Sequence, residues 1–94
     1  MVEIRYMGVI IGTGNFVNFE AASEVYVDIQ FSDDSMKELN GHCLEIDHGK
    51  QAIIVWDDKG KQLFASELIR IPFFRKELLK QLTLLDEQDV LYYQ

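Results

Sequence analysis

The chain has 94 residues, of which 48% are apolar and 27% charged, and it carries a formal net charge of −7. That length holds one domain, residues 1–94, and the apolar share is too high for a disordered chain. The acidity disfavours phosphate backbones and anionic lipid as partners, and no apolar run approaches the ~20 residues that cross a bilayer.

The charge is unevenly placed. Residues 1–47 carry only Arg5 and Lys37 against nine acids, whereas residues 48–94 carry seven of each sign. The whole excess therefore lies in the first half, an arrangement suited to steering a basic protein partner. Glu3 and Arg5 interrupt the basic-then-apolar order of a secretion signal, so no leader is expected. Cys43 is the only cysteine and has no internal partner for a disulfide, which favours a reducing compartment; a cytoplasmic location is expected.

A first strand is predicted over about Val2–Ile11, with Val2, Ile4, Tyr6, Gly8 and Ile10 on one face. Gly12-Thr13-Gly14-Asn15 is predicted to end it in a turn, because glycine and asparagine tolerate positive φ. Phe16, Val17 and Phe19, in the stretch before Ser23, fit either a short strand or a packed loop. Glu24 to Phe31 alternates strictly. Val25, Val27, Ile29 and Phe31 are predicted to face the core, with Glu24, Tyr26, Asp28 and Gln30 in water.

A short helix is predicted next, its start marked by a capping box of Ser35 and Glu38 and its end by Asn40-Gly41. Asp47-His48-Gly49-Lys50 reads as a two-residue hairpin loop that sets Ile46 opposite Gln51 and Leu44 opposite Ile53. Asp57-Asp58-Lys59-Gly60 reads as a type I turn with Gly60 as bulge residue, setting Val55 opposite Leu63 and Ile54 opposite Phe64. These registers place Leu44, Ile46, Ile53, Val55, Leu63 and Ala65 on one face. Cys43, Ile54, Trp56 and Phe64 fall on the other. Pro72 suits a helix start, and Phe74, Leu78, Leu82 and Leu85, widened by Leu79, repeat at helical spacing over about 73–88.

The fold class expected is α+β. About five antiparallel strands over about 2–71 form a strongly curved sheet, an SH3-like or other small, partly open barrel. A short helix follows the second strand and a C-terminal helix closes the chain.

No residue pattern specifies catalysis, a cofactor or a metal. His42-Cys43-Leu44-Glu45-Ile46-Asp47-His48 is rich in metal-competent side chains, but strand alternation puts His42 and His48 on one face and Cys43, Glu45 and Asp47 on the other. A structural zinc takes four converging ligands. The glycines at 8, 12 and 14 lack the following helix a phosphate loop needs. Adjacent acids at Asp33-Asp34, Asp57-Asp58 and Asp86-Glu87 diverge into water, unlike carboxylates that face each other across a cleft.

Apolar excess remains. Tyr26, Trp56, Leu91, Tyr92 and Tyr93 are the predicted partner-binding residues of a small acidic, non-enzymatic protein-interaction module such as an adaptor, regulatory subunit or inhibitor. The expected partner is another protein, with a basic one suited to the charge, and self-association through the C-terminal helix and tail is a further expectation. No membrane is involved. The alternative is a small-barrel protein that binds single-stranded nucleic acid through Arg70, Phe73, Arg75 and Lys76, where cations alternate with rings.

Overall fold

The computed structural model describes the backbone of residues 1–93 and the side chains of residues 1–83. It is an α+β arrangement. Six strands run β1 (Val2–Tyr6), β2 (Val9–Glu20), β3 (Ser23–Phe31), β4 (Cys43–Asp47), β5 (Ala52–Trp56) and β6 (Gln62–Glu67). They form one antiparallel meander in chain order. A 3-10 helix, Asp34–Leu39, joins β3 to β4; a 3-10 turn, Leu68–Arg70, leads from β6 into α1 (Pro72–Tyr93).

The sheet is bent but not closed. β1 and β4 stand three positions apart in the strand order, roughly 14 Å across a flat sheet. Yet the rings of Tyr6, on β1, and His48, just after β4, lie 5.4 Å apart. The outermost strands, β1 and β6, do not pair with each other. Leu68, Ile71 and Phe74 join the buried cluster of Ile4, Val9, Ile11, Ile29, Leu44, Ile46, Ile53 and Val55, and the ring of Phe74 lies 6.4 Å from that of Tyr6. The start of the helix therefore fills the mouth that strand pairing leaves open.

Several expectations are corrected, and most trace to two causes. The first is the use of glycine. The predicted single strand from Val2 to Ile11 is two strands joined at Met7-Gly8, both with positive φ (51° and 79°), so there are six strands and not five. Gly12 and Gly14 make no turn. They lie buried within β2, which runs unbroken through Asn15 to Glu20. A Cβ on Gly12 would sit 2.1 Å from the Gln30 carbonyl oxygen. Glycine is needed here for close approach of β2 to β3, not for chain reversal.

The second cause is the β-bulge. Thr13 faces Gln30 and Asn15 faces Val27, so β3 holds one extra residue, at Asp28, whose φ is 53°. The alternation from Glu24 to Phe31 is perfect in sequence but reverses its facing at Asp28. Tyr26 is accordingly buried, 8% exposed, on the same side as Ile29 and not in water. A similar irregularity sets Val55 opposite Phe64 and Trp56 opposite Gln62. It turns Phe64 toward the core, while Leu63, predicted inside, is 39% exposed and Ala65 is exposed as well.

The β4–β5 loop is longer than predicted: Asp47 pairs with Ala52, Ile46 with Ile53 and Leu44 with Val55. This shift of two leaves each side chain on its expected face, and Leu44, Ile46, Ile53 and Val55 are fully buried. The 3-10 helix follows the third strand and is capped by Asp33, which accepts from the Ser35 N–H at 2.8 Å, in place of the predicted Ser35 cap. Asn40 closes it and also accepts from the Phe31 N–H at 2.8 Å, with Gly41 beyond at positive φ.

Among the described side chains of α1, packing against the core is confined to one stripe. Phe74 is buried and Leu78 half-buried, whereas Leu79 and Leu82 are exposed. Gln81 Nε2 donates to the Gly8 carbonyl at 2.8 Å, tying the helix to the β1–β2 turn. Among the described residues no helix is long and apolar enough to cross a membrane.

Candidate interaction surface

The β2–β3 hairpin outruns its neighbour. Pairing of β1 with β2 ends at Val2 opposite Gly14, whereas pairing of β2 with β3 continues to Glu20 opposite Ser23. Residues Asn15 to Glu20 therefore have a strand on one side only. This open edge carries the large exposed side chains Phe16, Val17 and Phe19, 51–59% exposed, beside an exposed Val2.

Register explains why these aromatics stand together. Phe16 faces Tyr26 and Phe19 faces Glu24, with an irregularity between Phe16 and Asn18 that gives β2 an extra residue. Cross-strand partners share a face. Two aromatics three apart in β2 thus line up with two residues two apart in β3. Phe16 stands edge-on to Tyr26 at 5.6 Å, and Phe19 lies 6.2 Å from the His48 ring.

A polar cluster lies behind the aromatics. The Tyr26 hydroxyl donates to Glu24 Oε2 at 2.6 Å, and His48 Nε2 lies 2.9 Å from Glu24 Oε1. The His48 backbone N–H also donates to the Ala22 carbonyl at 2.7 Å, which holds the imidazole at this end of the hairpin. Burial, and then the hydrogen bond to Glu24 and its charge, push the Tyr26 phenol up to about 12. The carboxylate has a donor on one oxygen and an imidazole on the other, so the cluster is an internal brace for the hairpin.

The opposite face has its own bridge. Glu45 accepts from Trp56 Nε1 and from Ser23 Oγ, each at 3.2 Å, which ties β5, β4 and β3 together. Trp56 is half-buried there. Tyr26 and Trp56 are thus on different faces of the sheet and do not form one patch. The remaining predicted partner-binding side chains, Leu91, Tyr92 and Tyr93, lie outside the described residues.

No family model, curated protein or solved structure matches the chain. The surface has to be read from its own chemistry.

The cations at the start of α1 are interleaved with acids. Arg70 Nε lies 3.8 Å from Glu67, Lys80 bonds Glu77 at 3.3 Å, and Lys76 is close enough to Asp33 to favour its ionised form. Arg75 and Lys76 are exposed, while Phe73 packs against the core from a half-buried position. Phe73 lines a hollow shared with Asp33 and Glu77, so the ring predicted to stack on a base sits among carboxylates.

His42 and Cys43 line an open hollow of about 410 Å³ together with Asp28, Asp57 and Asp58. Among the described residues no three His, Cys, Asp or Glu side chains are placed to hold a metal ion. Burial, and after it the Glu45 charge, push the Cys43 thiol up, away from the thiolate a nucleophile needs. Asp57 accepts from the backbone N–H groups of Lys61 and Lys59 at 2.8 and 2.9 Å, and the first of these contributes most to holding its carboxyl below the usual range. Asp33 is lowered in the same way, chiefly by the Ser35 hydroxyl and then by its N–H. Both acids serve a turn or a helix start.

The sequence pattern does not reveal Phe16, Val17 and Phe19 as a surface; it sets Glu24 in water and His48 in a hairpin loop, and does not pair the two. The available signal was a cluster of three large apolar residues separated only by asparagine, with no proline or basic residue nearby.

Proposed function

We propose that the chain acts as a single domain and is a small acidic, non-enzymatic protein-interaction module, an adaptor, regulatory subunit or inhibitor. The observation that carries this reading is the open edge Asn15–Glu20 with Phe16, Val17 and Phe19 standing in solvent. Covering the exposed half of one such side chain contributes roughly 1–1.5 kcal/mol, and aromatic residues are the usual anchors of protein contacts. The acidic first half supplies steering toward a basic partner. On this reading the bent, partly open sheet is a scaffold in the manner of small barrels, and its job is to hold the β2–β3 hairpin out from the core.

The non-enzymatic part of the reading is supported by the raised Cys43 thiol and by the structural use of Asp33 and Asp57. A cytoplasmic setting fits the free thiol of Cys43.

A photo-crosslinking residue tests the proposal when placed at Ala21, in the turn beside the edge, or at Lys59, in an exposed turn elsewhere. In cells that express the protein, a discrete adduct from position 21 and none from 59 is expected, with loss of the adduct on Phe19→Ser. Equal labelling from both positions, or none from 21, would overturn it.

A further inference from the structure

We infer that the open edge of β2 takes up a short, extended, basic peptide segment of another protein as an added strand. This rests on the preceding reading of that edge as a protein contact and specifies its occupant.

Three observations carry the inference. The first is backbone geometry. Asn15 to Glu20 is strand already, paired with β3 on one side and past the end of β1 on the other, so an incoming strand needs no rearrangement to find a template.

The second is the absence of charge and of proline, two of the devices that normally guard an edge. β1 carries Glu3 and Arg5 on its five residues, and β6 runs between Lys61 and Glu67. Asn15-Phe16-Val17-Asn18-Phe19 has neither charge nor proline. The bulge at Val17 is the single interruption, and it limits continuous pairing to a short segment.

The third is charge. Between Arg5 and Lys37 there is no lysine or arginine, while two exposed acids flank the edge on the face opposite Phe16 and Phe19: Glu20 at its end, and Asp28, which accepts from Asn15 Nδ2 at 3.3 Å. A second copy would bring the same acids and a further net charge of −7 against this edge. A strand with lysine or arginine on alternate residues meets those acids with its cations and offers its apolar alternates to Phe16 and Phe19.

The test is a nuclear magnetic resonance titration of the full chain with short peptides, acetylated and amidated, that alternate lysine with valine. Parallel peptides carry glutamate or threonine in place of lysine, or N-methyl groups on alternate amides of the lysine peptide, in either of the two settings. The lysine peptide is expected to shift the amides of Asn15 to Glu20. One N-methyl setting is expected to weaken it by at least about tenfold with charge unchanged, as is Val17→Lys, checked for folding by circular dichroism. Equal binding of both N-methylated peptides would mean attraction without strand addition and would overturn the inference, as would shifts confined to another region. Tighter binding of the threonine or glutamate peptide at the same edge would remove the basic occupant yet leave the protein contact standing. Failure of every peptide, with no crosslink from position 21, would remove both. Sedimentation showing a dimer that Val17→Lys dissociates would assign the edge to a second copy and overturn the inference.

Discussion

Replacing Gly12 by alanine separates two meanings of glycine in this chain. At Gly12 the added methyl would stand 2.1 Å from the Gln30 carbonyl oxygen, 2.9 Å from its carbon and 3.0 Å from the Phe31 Cα. Comfortable contact between such atoms begins near 3.5 Å, so β2 and β3 would have to separate by about 1 Å where Gly12 pairs with Phe31 and Thr13 with Gln30. No flexible side chain can yield, because all three obstacles are backbone. Overpacking of this kind costs about 1–3 kcal/mol, and stretching the adjoining ladder adds about 1 kcal/mol for each hydrogen bond weakened. A loss of about 3 kcal/mol or more follows. Gly60 is the control: its φ is 79° and a Cβ there meets nothing within 4 Å, so Gly60→Ala carries only the left-handed backbone penalty of about 1–2 kcal/mol. Urea unfolding monitored by Trp56 fluorescence gives both numbers. A Gly12→Ala variant within 1 kcal/mol of the parent, or one less damaged than Gly60→Ala, would refute the close-packing account.

Two further predictions concern titratable groups. The Tyr26 phenol is raised in the fold from 10.0 to about 12, so the fold favours its protonated form; this stabilisation is complete below pH 10 and is lost as pH rises toward 12. The stability advantage of the parent over Tyr26→Phe should shrink across that window, and a late component of tyrosinate absorbance should vanish in the variant; superimposable titration curves would contradict the burial of this phenol and, with it, the Glu24 hydrogen bond. The raised Cys43 thiol should react with a disulfide reagent at neutral pH several-fold more slowly in the native protein than in urea, and a native rate equal to the unfolded one would remove the argument against a reactive thiol.

How much of this was legible depends on parity. A strand read from its alternation survives any error of two residues and fails with an error of one, because the side-chain period is two. The β4–β5 hairpin pairs two residues away from the predicted register, yet Leu44, Ile46, Ile53 and Val55 are all inside. The strand from Glu24 to Phe31 has the most regular alternation, yet Tyr26 lies on the face opposite the predicted one, because Asp28 adds one residue in a left-handed conformation. Leu63 failed for the same reason. An aspartate in mid-strand was the one available hint, since Asn and Asp enter the positive-φ region more readily than other side chains. The glycines misled by abundance: Gly8 makes the turn, while Gly12 and Gly14 make room. Nothing local distinguishes those uses, because the neighbour that needs the room, β3, arrives from about fifteen residues further on.

The candidate surface was illegible for a reason that also builds it. The extra residue in β2 brings Phe16 and Phe19 to one face, and the extra residue in β3 turns Glu24 and Tyr26 inward to meet them. Without the first, Phe19 would fall on the face opposite Phe16. Without the second, Tyr26 and Glu24 would point to water and His48 would have no carboxylate to hold the hairpin's end. An unbulged hairpin of the same composition would bury a row of valines and leave isolated aromatics on alternate sides. It would offer an incoming strand an edge but no apolar anchors. Bulges gather where a sheet re-aims a side chain. Here two of them, on neighbouring strands, turn an ordinary meander into one that presents an aromatic edge backed by a buried tyrosine, a carboxylate and an imidazole.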